Sequence, residues 1–127
     1  MYKRQAGDDV LQGTFEDDVI VGLGGDDVIR GASGSDTICG GDGDDTIHGD
    51  SQDDVIFGEA GDDFITGASG ADFIDGGGGN DTIEGNSQND TIDGGDGDDR
   101  INGGSGDDTI DGGDGICLLY TSDAADE

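Results

Sequence analysis

The apolar positions of this chain recur every nine residues. Leu11, Ile20, Ile29, Ile38, Ile47, Ile56, Ile65, Ile74, Ile83, Ile92, Ile101 and Ile110 form one column without a gap. The residue before each is usually β-branched or aromatic: Val10, Val19, Val28, Thr37, Thr46, Val55, Phe64, Phe73, Thr82, Thr91 and Thr109, with Arg100 the exception. A triplet x-Ile-x reads as a very short strand, with the Ile on one face and its neighbours on the other. A helix does not suit the pattern, because a nine-residue period does not keep one face. Glycine this frequent is also costly in a helix. One nine-residue unit can bury nothing, but stacked copies bury a thin continuous core.

Between the strands the polar columns are equally regular. Aspartate stands two residues before every core position, and glycine stands two residues after it, from Gly13 to Gly112. The unit is Gly-x-x-Gly-x-Asp-x-Ile-x, and Gly40 to His48 is a full copy. Glycine-rich positions favour tight turns and positive φ at no Cβ penalty. A second period of 36 residues is superimposed. The glycine two residues before the aspartate is replaced by Glu16, Gln52 and Gln88, and Ala32-Ser33-Gly34 matches Ala68-Ser69-Gly70. Four nonapeptides therefore form a larger unit.

Composition alone points to disorder. The 127 residues carry 33 acidic side chains against four Lys and Arg, for a net charge of -29, with 29 glycines, no proline and 29 % hydrophobic residues. Low hydrophobicity with high charge leaves too little to bury, yet a disordered chain has no strict period. The charge repels phosphate, which disfavours nucleic acid and anionic membranes and favours multivalent cations. No apolar run is long enough for a membrane span. Met1 to Gln5 lack the apolar stretch of a signal peptide. Cys39 and Cys117 form no disulfide framework.

In motif and tandem spacing the unit resembles the RTX, or haemolysin-type calcium-binding, nonapeptide repeat. The likeness runs from Gly7 to Gly115. It implies an all-β fold, a right-handed parallel β-roll with two strands and two turns in each 18-residue coil. Leu11, Ile29, Ile47, Ile65, Ile83 and Ile101 would then face the other six core residues. Six coils at the strand spacing give a rod about 29 Å long. On that architecture Asp9, Asp27, Asp45, Asp63, Asp81 and Asp99 align on one edge, and Asp18, Asp36, Asp54, Asp72, Asp90 and Asp108 on the other. Each neighbouring pair would hold one Ca²⁺ between coils. Backbone carbonyls of the turns would complete an all-oxygen shell. These are the carbonyls of Gly22, Gly25, Gly31, Gly34, Gly40, Gly43, Gly49, Gly58, Gly61, Gly67, Gly70, Gly76, Gly79, Gly85, Gly94, Gly97, Gly103 and Gly106. Up to about ten interior calcium sites follow. Mg²⁺ demands a stricter octahedron, and Zn²⁺ lacks repeated Cys or His ligands.

Several further expectations follow. The thin core cannot offset chain entropy and carboxylate repulsion, so the metal-free chain is expected to be disordered. The second edge, with Glu16, Gln52 and Gln88 in its turns, is expected to bind calcium more weakly. The adjacent acids Asp8, Asp26, Asp44 and Asp98 give way elsewhere to Ser35, Ala71, Asn80 and Asn89, which suits turn formation and surface charge. His48, Cys39, Asp75, Glu84, Asp93 and Asp111 share outward columns. No nucleophile-base pair, metalloprotease motif or phosphate loop is present, so the chain does not read as an enzyme. Residues 1–6 and 116–127 leave the repeat grammar and read as foreign ends, with Leu119 still in the core column as a weak cap. The chain reads as a slice of a longer bacterial protein, secreted and folded by extracellular calcium, with flanking domains. The rival is an adhesive β-solenoid that binds a surface, ice or glycan and uses calcium only as a staple. Val, Phe and Arg interrupt the Thr ranks that ice binding would need. An acidic mimic of nucleic acid would need neither the glycine nor the Ile column.

Overall fold

A computed structural model describes residues 2–4, 6–115 and 117–120, with side chains over 6–115. In chain order the strands are β1 (Tyr2–Arg4), β2 (Val10–Gln12), β3 (Val19–Gly24), β4 (Val28–Ser33), β5 (Thr37–Asp42), β6 (Thr46–Ser51), β7 (Val55–Ala60), β8 (Phe64–Ser69), β9 (Phe73–Gly78), β10 (Thr82–Ser87), β11 (Thr91–Asp93), β12 (Asp99–Ser105), β13 (Thr109–Asp111) and β14 (Cys117–Tyr120). Odd strands form one seven-stranded parallel sheet and even strands the other. The chain therefore alternates between two sheets, one strand in each per 18-residue coil. It is a parallel β-roll.

Register follows the nine-residue period without slippage. Ile20, Ile38, Ile56 and Ile74 stand side by side in the odd sheet. Leu11, Ile29, Ile47, Ile65, Ile83 and Ile101 do so in the even sheet. Side chains alternate across a strand, so both Ile stacks point inward and their neighbours outward. From Ile20 to Ile101 every core Ile is 0–1 % exposed. A one-residue slip would turn this whole column to solvent, which is why the register is strongly specified. Ile110 departs from the expected core, since it is only partly buried and packs against the cluster from its end.

Two features extend the expected strands. Most strands run for six residues rather than three. After the Ile triplet, pairing continues past the glycine, as in Ala32↔Asp50 and Ser33↔Ser51. The backbone ladder needs no side chain, so glycine does not end it. At the ends, β1 pairs with β3, and β14 pairs with β12 with Leu119 opposite Ile101. Parallel pairing asks only for free edge amides and carbonyls, which the outermost coils offer.

Candidate metal centres

The two edges of the roll are where the chain crosses between sheets, and the aspartate column lies at each crossing. Asp18, Asp27, Asp36, Asp45, Asp54, Asp63, Asp72, Asp81, Asp90 and Asp99 are all buried, at 1–2 % exposure. Asp9 and Asp108, in the outer coils, are partly exposed. Asp9, Asp27, Asp45, Asp63, Asp81 and Asp99 lie on one edge. On it each backbone N–H donates to the Oδ1 of the aspartate 18 residues ahead, from Asp9 to Asp27 (2.8 Å) through to Asp81 and Asp99 (2.9 Å). On the other edge the same bond links Asp18 to Asp36 (2.7 Å) and continues to Asp90 and Asp108 (2.9 Å).

That bond fixes one carboxylate oxygen and leaves the other. Oδ2 of Asp27, Asp36, Asp45, Asp54, Asp63, Asp72, Asp81, Asp90, Asp99 and Asp108 is buried with no hydrogen-bond partner. Buried polar atoms are nearly always satisfied, and an orphaned charged one is costly. Here the orphan repeats from Asp27 to Asp108. Burial pushes the carboxyls of Asp54, Asp63 and Asp90 up to about 7, with neighbouring aspartates of the same rank adding to the rise. Asp45 and Asp81 rise to about 6, again chiefly through burial. The protein alone therefore disfavours the ionised form that neutral pH would impose. A hard cation reverses both defects, because it supplies the missing partner and the missing charge.

Glycine decides how closely oxygens can approach. A Cβ at Gly76 would lie 2.5 Å from Asp81 Oδ2 and 2.7 Å from the Gly94 carbonyl oxygen. A Cβ at Gly58 would likewise meet Asp63 Oδ2 at 2.5 Å and the Gly76 carbonyl at 2.6 Å. Every glycine of this unbroken column from Gly22 to Gly94 faces the same two oxygens, and none has positive φ. It is glycine for space and not for dihedral freedom, contrary to the expectation from turn propensity. Positive φ falls instead on two other columns. The mid-turn column includes Gly43 (127°) but also Gln52 (80°) and Gln88 (82°). The column after the unbroken glycine holds Leu23, Ala32, Asp50, Glu59, Ala68 and Asn86 at 80–84°. Sequence reasoning missed this second column, because its side chains hide a left-handed backbone.

The outer acids have a defined role as well. Asp26 N donates to Asp8 Oδ1 (2.9 Å), Asp44 N to Asp26 Oδ1 (2.9 Å), and Asp98 N to Asn80 Oδ1 (2.9 Å). These bonds run opposite in direction to the inner rank. Asn80 and Asn89 serve as well as aspartate, so the position needs an acceptor oxygen more than a charge. On the second edge this rank is interrupted at Ser35 and Ala71, whose amides donate to Asp17 and Asp53 but whose side chains accept no bond from the next coil among the described residues. On the first edge the mid-turn amides also bond to the next coil, as in Gly25 to Asp42 (2.9 Å) and Gly61 to Gly78 (2.9 Å). Among the described residues, no mid-turn amide of the second edge does so.

Among the described residues, no three His, Cys, Asp or Glu side chains converge tightly enough to hold a metal by themselves. A cation here would need backbone carbonyls as well as carboxylates, and both converge beside the unbroken glycine column. All of these donors are hard oxygens, which suits calcium. His48 lies on an outer face with its ring 6.4 Å from that of Phe64. Cys39 is a free, half-buried thiol on the other outer face. Asp75, Asp93 and Asp111 stand in register on that same face, away from the edges. No helix of the described chain is long and apolar enough to cross a membrane. A family model described as the RTX calcium-binding nonapeptide repeat, four copies, matches residues 5–38, 40–74, 58–92 and 84–116. No curated protein matches the chain.

Proposed function

Because the chain belongs to the RTX calcium-binding nonapeptide repeat family, we propose that the inner aspartates and turn carbonyls hold Ca²⁺ between successive coils, and that this binding folds the roll. The family is a structural calcium-binding module and not a catalytic one. The observation that carries the proposal is the rank of buried aspartates whose Oδ2 has no protein partner.

Each interval between neighbouring aspartates of one edge is one site, so the two edges offer about ten interior sites. Asp27 and Asp45 would bind one ion together, with Gly carbonyls of the two flanking turns. The bound cation neutralises carboxylates that the protein alone keeps partly protonated. Its binding free energy then becomes folding free energy. Inside a cell, where free calcium is scarce, the chain stays unfolded and fit for export. Outside, calcium folds it and stabilises the longer secreted protein to which it belongs. Circular dichroism of the whole chain tests the physical core of this reading. In chelator at pH 7.5 the spectrum should be that of a disordered chain, and millimolar calcium should bring a cooperative gain of β signal. A full β spectrum in chelator at pH 7.5 would overturn the proposal.

A further inference from the structure

The outer face of the even sheet carries a feature that calcium binding does not use. Arg100 interrupts a column that is otherwise β-branched or aromatic. Register sets Phe64, Thr82 and Arg100 side by side on β8, β10 and β12, with Glu84 and Asn102 in the next outward column. Thr82 is short, whereas the side chains flanking it are long. The result is a notch of about 420 Å³, walled by Phe64 and Arg100 and bordered by Thr82, Glu84 and Asn102. Its walls stand two strand spacings apart, about 9.6 Å. The His48 ring packs at 6.4 Å against Phe64 from the preceding coil, at an interplanar angle of 61°. Phe64 therefore has support from behind and presents 38 % of its surface.

We propose that this notch binds one neutral pyranose ring of an oligosaccharide. The lining sets an aromatic ring against hydroxyl, carboxylate, amide and guanidinium groups. The negative face of an aromatic ring suits the slightly positive C–H face of a sugar. Glu84 can accept from a vicinal diol, Arg100 can only donate, and Asn102 and Thr82 can do both. A purely apolar ligand would leave these groups unpaired at a desolvation cost. An anionic ligand meets a chain whose formal charge is -29 before calcium binds and whose outer acids stay ionised afterwards. Arg30, the other arginine of the rolled region, pairs with Asp50 at 3.4 Å, whereas Arg100 has no ion pair among the described residues. The lining itself holds one positive and one negative group, and so is locally balanced for a neutral ring.

The inference rests on the folded, calcium-loaded roll, so its test is made on the whole chain in saturating calcium. Backbone amide NMR shifts are followed while glucose, galactose and mannose trisaccharides are added, with methyl glucuronide as the anionic contrast. At least one neutral sugar should give saturable shifts confined to Phe64, Thr82 to Glu84 and Arg100 to Asn102. Phe64→Ala and Arg100→Ala should each weaken that binding roughly tenfold, equivalent to about 1.4 kcal/mol. Val28→Ala, on the same face outside the notch, should leave it unchanged. The β spectrum of every variant is recorded first, so that lost folding is separated from lost sugar binding. Absence of saturable shifts with all three neutral sugars on a folded chain would overturn the assignment. Equal binding of methyl glucuronide, or binding untouched by both notch substitutions, would do the same.

Discussion

At the scale of one residue, the neighbours Gly76 and Gly77 differ in what a methyl group would meet. At Gly76 it would press on Asp81 Oδ2 and the Gly94 carbonyl, and neither can retreat within the stack. At Gly77 the backbone has φ of 97° and a Cβ would lie 2.1 Å from the Glu59 carbonyl oxygen, but Ala32 and Ala68 occupy the equivalent position at 84° and 80°, so a modest turn of the backbone accommodates alanine there. Gly76→Ala is therefore expected to destabilise the calcium-loaded roll by about 3 kcal/mol or more through overpacking. Gly77→Ala should cost less, about 1–2 kcal/mol for a left-handed alanine, once the turn shifts off the Glu59 carbonyl to the φ that Ala32 and Ala68 adopt. Chemical denaturation in saturating calcium measures both, and equal losses would defeat the distinction. The two aspartates of a turn separate in the same way. Asp62→Asn keeps the acceptor oxygen that Asn80 N–H uses, and surface charge alone is worth little. Calcium affinity should stay within about a factor of two. Asp63→Asn removes a buried charge from the proposed ligand set and should weaken affinity roughly tenfold or more, by analogy with lost metal-site partners. Calorimetric titration of the two variants reads the difference directly.

At the scale of the element, the two edges are built from the same columns and finished differently. The first edge keeps glycine at every mid-turn position, ties those amides to the next coil, and carries outer acceptors from Asp8 through Asn80. The second holds Gln52 and Gln88 at positive φ and loses its outer acceptor at Ser35 and Ala71. A left-handed non-glycine residue is strained by about 1–2 kcal/mol. The second edge should therefore bind calcium later. In a calcium titration, Asp45→Asn is expected to remove part of the early phase and Asp54→Asn part of the late one. Indistinguishable titrations of the two variants would show the edges to be equivalent.

At the scale of the whole molecule, charge and burial set a pH dependence. Burial holds the Asp54, Asp63 and Asp90 carboxyls at about 7 in the metal-free fold, against 3.8 for the free side chain. A folded-state value above the unfolded one stabilises the fold fully below the unfolded value. That contribution is lost as pH rises through about 6 to 7, the folded values of these aspartates and of Asp45 and Asp81. Chelated chain should thus gain β structure on acidification towards pH 4 and lose it on return to neutrality. Calcium ligation needs the deprotonated carboxylate, so the calcium midpoint at pH 5 should lie above that at pH 7.5. A β signal in chelator that does not change between pH 4 and pH 7.5 would count against buried carboxylates as the barrier to metal-free folding.

Much of this architecture is legible in one dimension, because a solenoid turns sequence period directly into neighbourhood. The spacing of Ile20, Ile38 and Ile56 is itself their register in the odd sheet. Once the coil is known to hold two repeats, the aspartate column likewise names its own stacking partners. Other features depend on atoms that meet only when coils stack. The reason for glycine at Gly76 is a carboxylate five residues away and a carbonyl eighteen away. The left-handed backbone under Leu23 and Glu59 carries no mark in residue type. The notch beside Arg100 exists because Phe64, Thr82 and Arg100 are of unequal length on adjacent strands. Period and residue type by themselves determined the short strands, the inward Ile column and the recurring aspartates; the coil of 18 residues, and with it which repeats stack, was implied by the family resemblance and is seen in the strand order. Only the tertiary structure decided which carboxylate oxygen is orphaned, which glycine is held by space and which outer residues share a hollow. Those outcomes depend on distances between coils, which no single repeat contains.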